Sequence, residues 1–156
     1  MKNPLQNTTK RIALITLMCF GAIFIQPAIA AEKLHHREVN QKNPSGKDLI
    51  MTFEETKREG DISTVKVTMT SGGSVESAMF IMRGVYDIAK ILKKDYLIKL
   101  SEKEEEDGSW TYRFGFANDS KIDPQKHFRL KEPLPEDEGY TFMAVKDLDM
   151  IFKGRE

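Results

Sequence analysis

The hydrophobic period of the chain changes at Gly72-Gly73, and this change constrains the fold more than any other feature of the sequence. Before it, apolar and polar residues alternate along residues 49–53 and again along residues 65–69, which predicts two strands joined by a charged turn at residues 54–61. After it, apolar residues recur at three- and four-residue steps, which predicts a helix over residues 74–94. A strand period followed closely by a helix period is typical of an α+β domain.

Two further strands follow the predicted helix. Residues 96–100 form the first, and the acidic run at residues 102–107 leads through Gly108 into the second, so the pair reads as a hairpin. Alternate positions of that last strand are aromatic: Trp110, Tyr112, Phe114 and Phe116. This spacing predicts a row that faces the helix in the core, and the alternative is a stacking platform for sugars or peptides.

The last forty residues are less regular. Residues 117–139 are rich in Asn, Asp, Pro and charge, which predicts a long surface loop whose role stays open. Residues 140–145 resume a strand-like composition. The apolar segment after Val145 fits a helix or a strand equally well.

The order strand, strand, helix, strand, strand, strand predicts the fold class. We expect an α+β domain with a mostly antiparallel sheet of four to five strands and one main helix packed on one face. Residues 48–156 form this single domain. If the second and third predicted strands are parallel, the helix between them should make a right-handed crossover.

Residues 1–30 have the pattern of a cleaved signal peptide. Lys2, Lys10 and Arg11 precede an apolar run over residues 12–25, and Ala28-Ile29-Ala30 offers a peptidase site. A membrane anchor is the alternative, but a span needs about 20 apolar residues and this run is shorter. The pattern predicts export to the periplasm or the medium, with no membrane span after cleavage.

Cysteine usage limits the chemistry of the exported domain. Cys19, the single cysteine, lies in the predicted signal peptide. Lipid attachment there is a further alternative, although no small-residue box surrounds the thiol. A mature chain without disulfides must be stabilised by its core alone, which a domain of this size can supply.

Residues 31–47 are mostly polar and predict a flexible leader. His35-His36 with Glu38 could bind a divalent metal, but adjacent side chains on a mobile segment make a poor site. We therefore predict no metal site and no cofactor.

Charge argues against nucleic acid as a partner. The whole chain has 24 basic and 24 acidic residues, and without Lys2, Lys10 and Arg11 the mature part keeps 21 basic residues against 24 acidic ones. A nucleic-acid binder needs a concentrated basic surface, and the sequence has none.

Two motifs contain residue types that occur in functional sites. Gly72, Gly73 and Ser74 stand at a strand-to-helix junction, where free amides could hold an anion, although plain helix capping explains them as well. Ser120, Asp123 and His127 are the residue types of an acyl-transfer triad, but no nucleophile elbow accompanies them. We predict no catalytic residue.

The sequence thus predicts an exported, non-catalytic domain that binds a protein or an envelope component. Apolar residues cover more of the predicted helix than a narrow stripe, so Phe80, Ile88 and Ile91 are candidates for a partner surface. The alternative is a small ligand-binding protein or hydrolase that uses Gly72, Gly73 and Ser74 as an anion site. The specific ligand, the pathway and the oligomeric state stay open.

Overall fold

Three antiparallel strands come first among the described residues. The computed structural model describes residues 33–42, 46, 48–71, 74–134 and 141–153, all within the unit Lys33–Glu156. Strand β1 (His36–Lys42) pairs with β2 (Asp48–Glu59), and β2 pairs with β3 (Ile62–Ser71). β1 lies inside the segment that the sequence predicts as a flexible leader, so ordered structure begins before Asp48.

β1 is held in place by contacts that polar composition does not reveal. Val39 packs against the core, and the Arg37 guanidinium lies over the ring of Phe80, 5.8 Å from its centroid. The backbone ladder adds seven paired residues with β2. A strand with one large apolar side chain is therefore ordered because its neighbour supplies the hydrogen bonds.

The turn between β2 and β3 is shorter than predicted. β2 continues through the charged residues 54–59 and β3 begins at Ile62, so only Gly60 and Asp61 form the turn, with Gly60 at a φ of 59°. The left-handed conformation at that position favours glycine. The ladder shifts register between Glu55 and Lys57, which marks a bulge in β2.

Helix α1 (Ser74–Ile91) connects β3 to β4 (Tyr96–Glu104), and β4 forms a hairpin with β5 (Trp110–Ala117). The helix begins where the sequence predicts and ends three residues earlier, because Lys93 adopts a φ of 54° and the Lys94 amide donates to the Ala89 carbonyl. β5 pairs with both β3 and β4. β3 and β4 are therefore parallel, with β5 between them.

The chain ends in a short strand and a helix. β6 (Met143–Ala144) pairs with β4, and helix α3 (Val145–Phe152) follows it. The segment after Val145, which fits either structure in sequence, is therefore a helix. Tyr140 lies outside the described residues.

The α+β class predicted from the sequence is confirmed, but the described residues form six strands and three helices. The sheet is antiparallel between neighbours in the order β1-β2-β3-β5-β4-β6. The sequence predicted four to five strands and one main helix. The difference lies in β1, α3 and the four-residue helix α2 (Pro124–His127).

The sheet has a core on each face. On the α1 face the buried residues include Phe53, Val85 and Ile88, none of them exposed at all. On the opposite face Phe128 from the long loop packs with Ile98 of β4, within a smaller cluster. That cluster also contains Leu100 and Ala117, with Ile62, Ile122, Leu130, Leu134 and Phe142 packed against it. The segment that the sequence predicts as a surface loop therefore covers the second face of the sheet.

Candidate functional site

An apolar cavity of about 310 Å³ lies between α1 and the β4, β5 and β6 strands. Ala78, Ile81 and Met82 form its helix wall. The sheet wall and rim consist of Leu97, Ile98, Lys99, Tyr112, Phe114, Thr141 and Met143. Its volume is at the lower end of the range that small-molecule sites occupy.

The residue types in the walls explain why space remains there. Ala78 is the smallest of the three helix side chains in the wall, so it fills less of the space than Ile81 and Met82 do. Tyr112 stacks between Trp110 and Phe114, with ring centroids 6.2 Å and 6.0 Å apart, and this stack keeps the floor of the cavity flat. Met82 and Met143 are flexible enough to adapt to what enters.

Polar groups are few in this cavity. The Lys99 ammonium donates to Glu102 at 3.0 Å, and Thr141 is exposed at the rim. Burial raises the pKa of the Tyr112 hydroxyl, and the Glu102 carboxylate adds to the increase, so the phenol stays protonated. The described lining residues include no carboxylate and no imidazole, and most of the surface that they present is apolar.

A second feature is a polar cluster around Asp87 of α1. Its carboxylate accepts a hydrogen bond from Arg37 Nη1 at 2.8 Å and one from Arg83 Nε at 3.1 Å. Arg83 also donates to the Phe152 carbonyl at 3.2 Å. Asp87 thereby connects β1, α1 and α3, which makes the cluster a structural junction.

His35 lies beside this junction. Its ring packs edge-to-face on Phe53 and its Nε2 is 3.6 Å from Asp87 Oδ2, beyond hydrogen-bond distance. Burial lowers the pKa of His35, a lowering that Arg37 reinforces and Asp87 opposes. The imidazole is therefore neutral near pH 7.

Glu55 of β2 forms a separate buried ion pair. Its side chain is fully buried, and it accepts hydrogen bonds from Arg58 Nε at 2.7 Å and from the Ser63 hydroxyl at 2.6 Å. The His35 amide donates to it as well, at 2.9 Å. The arginine and the two other donors lower the pKa of Glu55 against the opposing effect of burial. These hydrogen bonds hold the bulge of β2 and the residue before β1 in place, so the Glu55 carboxylate has a structural role.

The structure describes only part of the predicted anion site. Gly72 and Gly73 lie outside the described residues, and of Ser74 the structure describes the backbone as the first residue of α1. The anion site therefore stays a prediction.

The predicted partner surface is largely buried. Phe80 is 8% exposed and Ile88 is not exposed at all, because α1 presses both against the sheet and β1, while Ile91 is 49% exposed. Only Ile91 of the three is available to a partner.

The other polar motifs also have local structural roles. His35 and His36 face opposite sides of β1, since side chains alternate along a strand, and His36 instead pairs with Glu38 at 2.9 Å. Asp123 caps α2 through the Lys126 amide. His127 is exposed, with its ring edge-to-face on Phe128.

Sequence reasoning missed the cavity although it identified part of its wall. The alternating aromatic residues correctly placed Tyr112 and Phe114 toward the helix. The remaining walls come from three other elements, and no periodicity indicates where their side chains leave a gap.

Comparison with known proteins adds no relative: no family model, no curated protein and no solved structure matches the chain. In the described part of the chain, no helix has the length and apolar character needed to cross a membrane. The same residues contain no group of three potential metal ligands.

Proposed function

We propose that this chain is an exported, periplasmic, non-catalytic domain that binds an envelope component through an aliphatic chain. The observation that carries the proposal is the cavity between α1 and strands β4 to β6, whose lining is almost entirely apolar. At about 30 Å³ for a group the size of water, its volume accommodates on the order of ten heavy atoms. A medium-length acyl chain has that size.

The chemistry of the lining favours binding over turnover. Transfer of an aliphatic chain from water to apolar walls is favourable by about 25 cal/mol per Å². The Lys99 ammonium and the Tyr112 hydroxyl stand at the cavity and can orient a polar head group. Burial keeps the Tyr112 phenol protonated and the Lys99 ammonium is bound to Glu102, so both groups suit the binding of a polar head group.

The test is a titration of the protein with decanoate below its micelle concentration, followed by tryptophan fluorescence. Trp110 is the single tryptophan and stacks on Tyr112 of the cavity floor, so its emission reports events in the cavity. We expect a saturable change in emission. Native-state binding should also raise the melting temperature.

A matched pair of variants locates the site. Ala78→Phe places a ring at the helix wall, and we expect it to weaken decanoate binding at least tenfold without loss of the fold. Ile91→Phe is the control, since Ile91 is also exposed on α1 and lies about 20 Å further along the helix axis at 1.5 Å per residue. Absence of saturable binding to the wild type, or equal binding by Ala78→Phe, contradicts the proposal.

A further inference from the structure

The outer edge of β1 has no strand partner among the described residues. β1 is the first strand of the sheet and pairs with β2 alone among the described strands. The Glu55 amide donates to the His35 carbonyl at 2.8 Å, so His35 and Glu55 form a hydrogen-bonded pair. Hydrogen-bonded pairs alternate along an antiparallel ladder. The residues whose amides and carbonyls point away from β2 are therefore His36, Glu38, Asn40 and Lys42.

β1 is long enough to receive another strand. It has seven residues, and an edge strand of that length presents enough consecutive donors and acceptors to template another strand. At the opposite edge β6 pairs with only Tyr96 and Leu97 of β4, so β1 is the longer of the two terminal strands of the described sheet.

The side chains on this edge select one kind of occupant. Glu38 is 70% exposed, and Asn40 and Lys42 are exposed as well. Charges on an edge strand usually oppose pairing with a second strand. Here Glu38 and Lys42 stand four positions apart, so an antiparallel copy of β1 can place each carboxylate opposite an ammonium group.

We propose that β1 pairs antiparallel with β1 of a second copy of this chain, with Asn40 opposite Asn40 across a twofold axis. In this register Glu38 of each copy lies opposite Lys42 of the other. Three residue pairs then exchange backbone hydrogen bonds, and the sheet continues across both subunits.

Neighbouring registers are less favourable. A shift that centres the axis on Glu38 places two carboxylates opposite each other, and a shift that centres it on Val39 places Glu38 opposite Asn40, so neither register brings Glu38 and Lys42 together. Opposite charges in directly facing positions stabilise a strand pair, whereas like charges destabilise it. Charge therefore selects both the occupant and the register.

Sedimentation equilibrium over a concentration series tests the proposal. We expect a reversible dimer of the wild type. Glu38→Lys and Lys42→Glu should each weaken dimerisation about tenfold, because each replaces two attractive pairs with two repulsive ones. The double variant Glu38→Lys with Lys42→Glu should restore it.

A mixture of the two single variants gives a sharper result. Glu38→Lys carries only positive charges at these two positions and Lys42→Glu only negative ones, so the mixture should form a heterodimer more tightly than either variant alone forms a homodimer. A folding defect cannot produce that pattern. Absence of a wild-type dimer, or a mixture with no heterodimer, overturns the proposal.

A backbone variant tests the strand contact separately from charge. Asn40→Pro removes an amide that points away from β2, so it should abolish the dimer while the subunit stays folded. Asn40→Ala is the matched control and should dimerise. If Asn40→Pro dimerises as tightly as the wild type, the copies associate through another surface and the proposed β1 contact is wrong. Decanoate binding by the monomeric variants reports on the cavity independently.

Discussion

At the scale of single residues, Glu55 shows how a charged side chain can be part of the core. The sequence places it in a run that predicts a solvated turn, yet its carboxylate is fully buried among three donors. Removal of one member of a buried ion pair typically costs about 3–5 kcal/mol, since the partner charge is left unpaired. No local pattern distinguishes such a residue from the exposed Glu54 beside it. The distinction comes from Arg58 and Ser63 across the bulge and the hairpin.

His35 gives the first prediction at this scale. Because burial lowers the pKa of His35, the unfolded chain binds a proton that the folded chain does not. Its contribution to stability is therefore complete above about pH 6.5 and decreases as the pH falls from there through the folded pKa. His35→Phe keeps an aromatic ring on Phe53 and removes the titration. We expect the wild type to lose more unfolding free energy than this variant between about pH 7 and about pH 5.

Urea denaturation at the two pH values measures the difference. Identical losses in His35→Phe and the wild type contradict the prediction. Glu55 does not obscure it, because a carboxyl with a lowered pKa loses its contribution only at lower pH.

At the scale of elements, close contact between α1 and β2 depends on one glycine. A Cβ built on Gly84 would lie 2.7 Å from the ring of Phe53, which is fully buried. Gly115 of β5 has the same relation to Phe128 on the other face, at 2.6 Å. Each face of the sheet therefore has one glycine that admits one phenylalanine ring.

Gly84→Ala should destabilise the protein despite better helix propensity. Alanine improves a helix interior by up to about 1 kcal/mol over glycine. Overpacking against the Phe53 ring costs about 1–3 kcal/mol, so we expect a net loss of unfolding free energy. Denaturant unfolding measures it.

A double variant identifies the cause. In Phe53→Leu the smaller side chain makes room for the new methyl group, so Gly84→Ala should cost less in that background than in the wild type. A stabilising effect of Gly84→Ala in the wild type would contradict the packing argument.

The elements also show what periodicity can and cannot predict. The alternation in β2 and β3, the helical steps of α1 and the aromatic row of β5 each extend over several residues and were interpreted correctly. β1 was missed because its stability comes from pairing and from Arg37 on Phe80, neither of which leaves a hydrophobic pattern. The cavity was missed because it is a property of the space between four elements.

At the scale of the whole molecule, the described unit has helices and strands but no disulfide to stabilise it. Two hydrophobic cores on opposite faces of one sheet stabilise the unit in place of a disulfide, since both faces bury apolar area. The Phe128 cluster shows why the long loop could not be interpreted from composition. Its apolar residues are widely spaced along the chain and meet only on the sheet.

Export gives the prediction for the whole chain. The basic start, the apolar run and Ala28-Ile29-Ala30 together predict cleavage after Ala30. Intact-mass analysis of the exported protein should show Ala31 at the N-terminus. An Ala28→Leu, Ala30→Leu double variant should retain the leader, because large side chains do not fit the peptidase site. A mature mass that includes residues 1–30, or a lipid adduct at Cys19, contradicts the prediction.

The insertion of β5 between β3 and β4 has a consequence for the order in which the chain folds. β1, β2 and β3 are neighbours in sequence and in the sheet, as are β4 and β5. The ladder between β3 and β5, in contrast, joins residues more than 40 positions apart. The chain must lose the entropy of closing a loop of that length before the contact stabilises it. Folding rates therefore fall as such contacts become more numerous. Docking of the β4–β5 hairpin onto β3 should therefore limit the folding rate, and no strand pairing after the helix can be completed until β5 has left the ribosome.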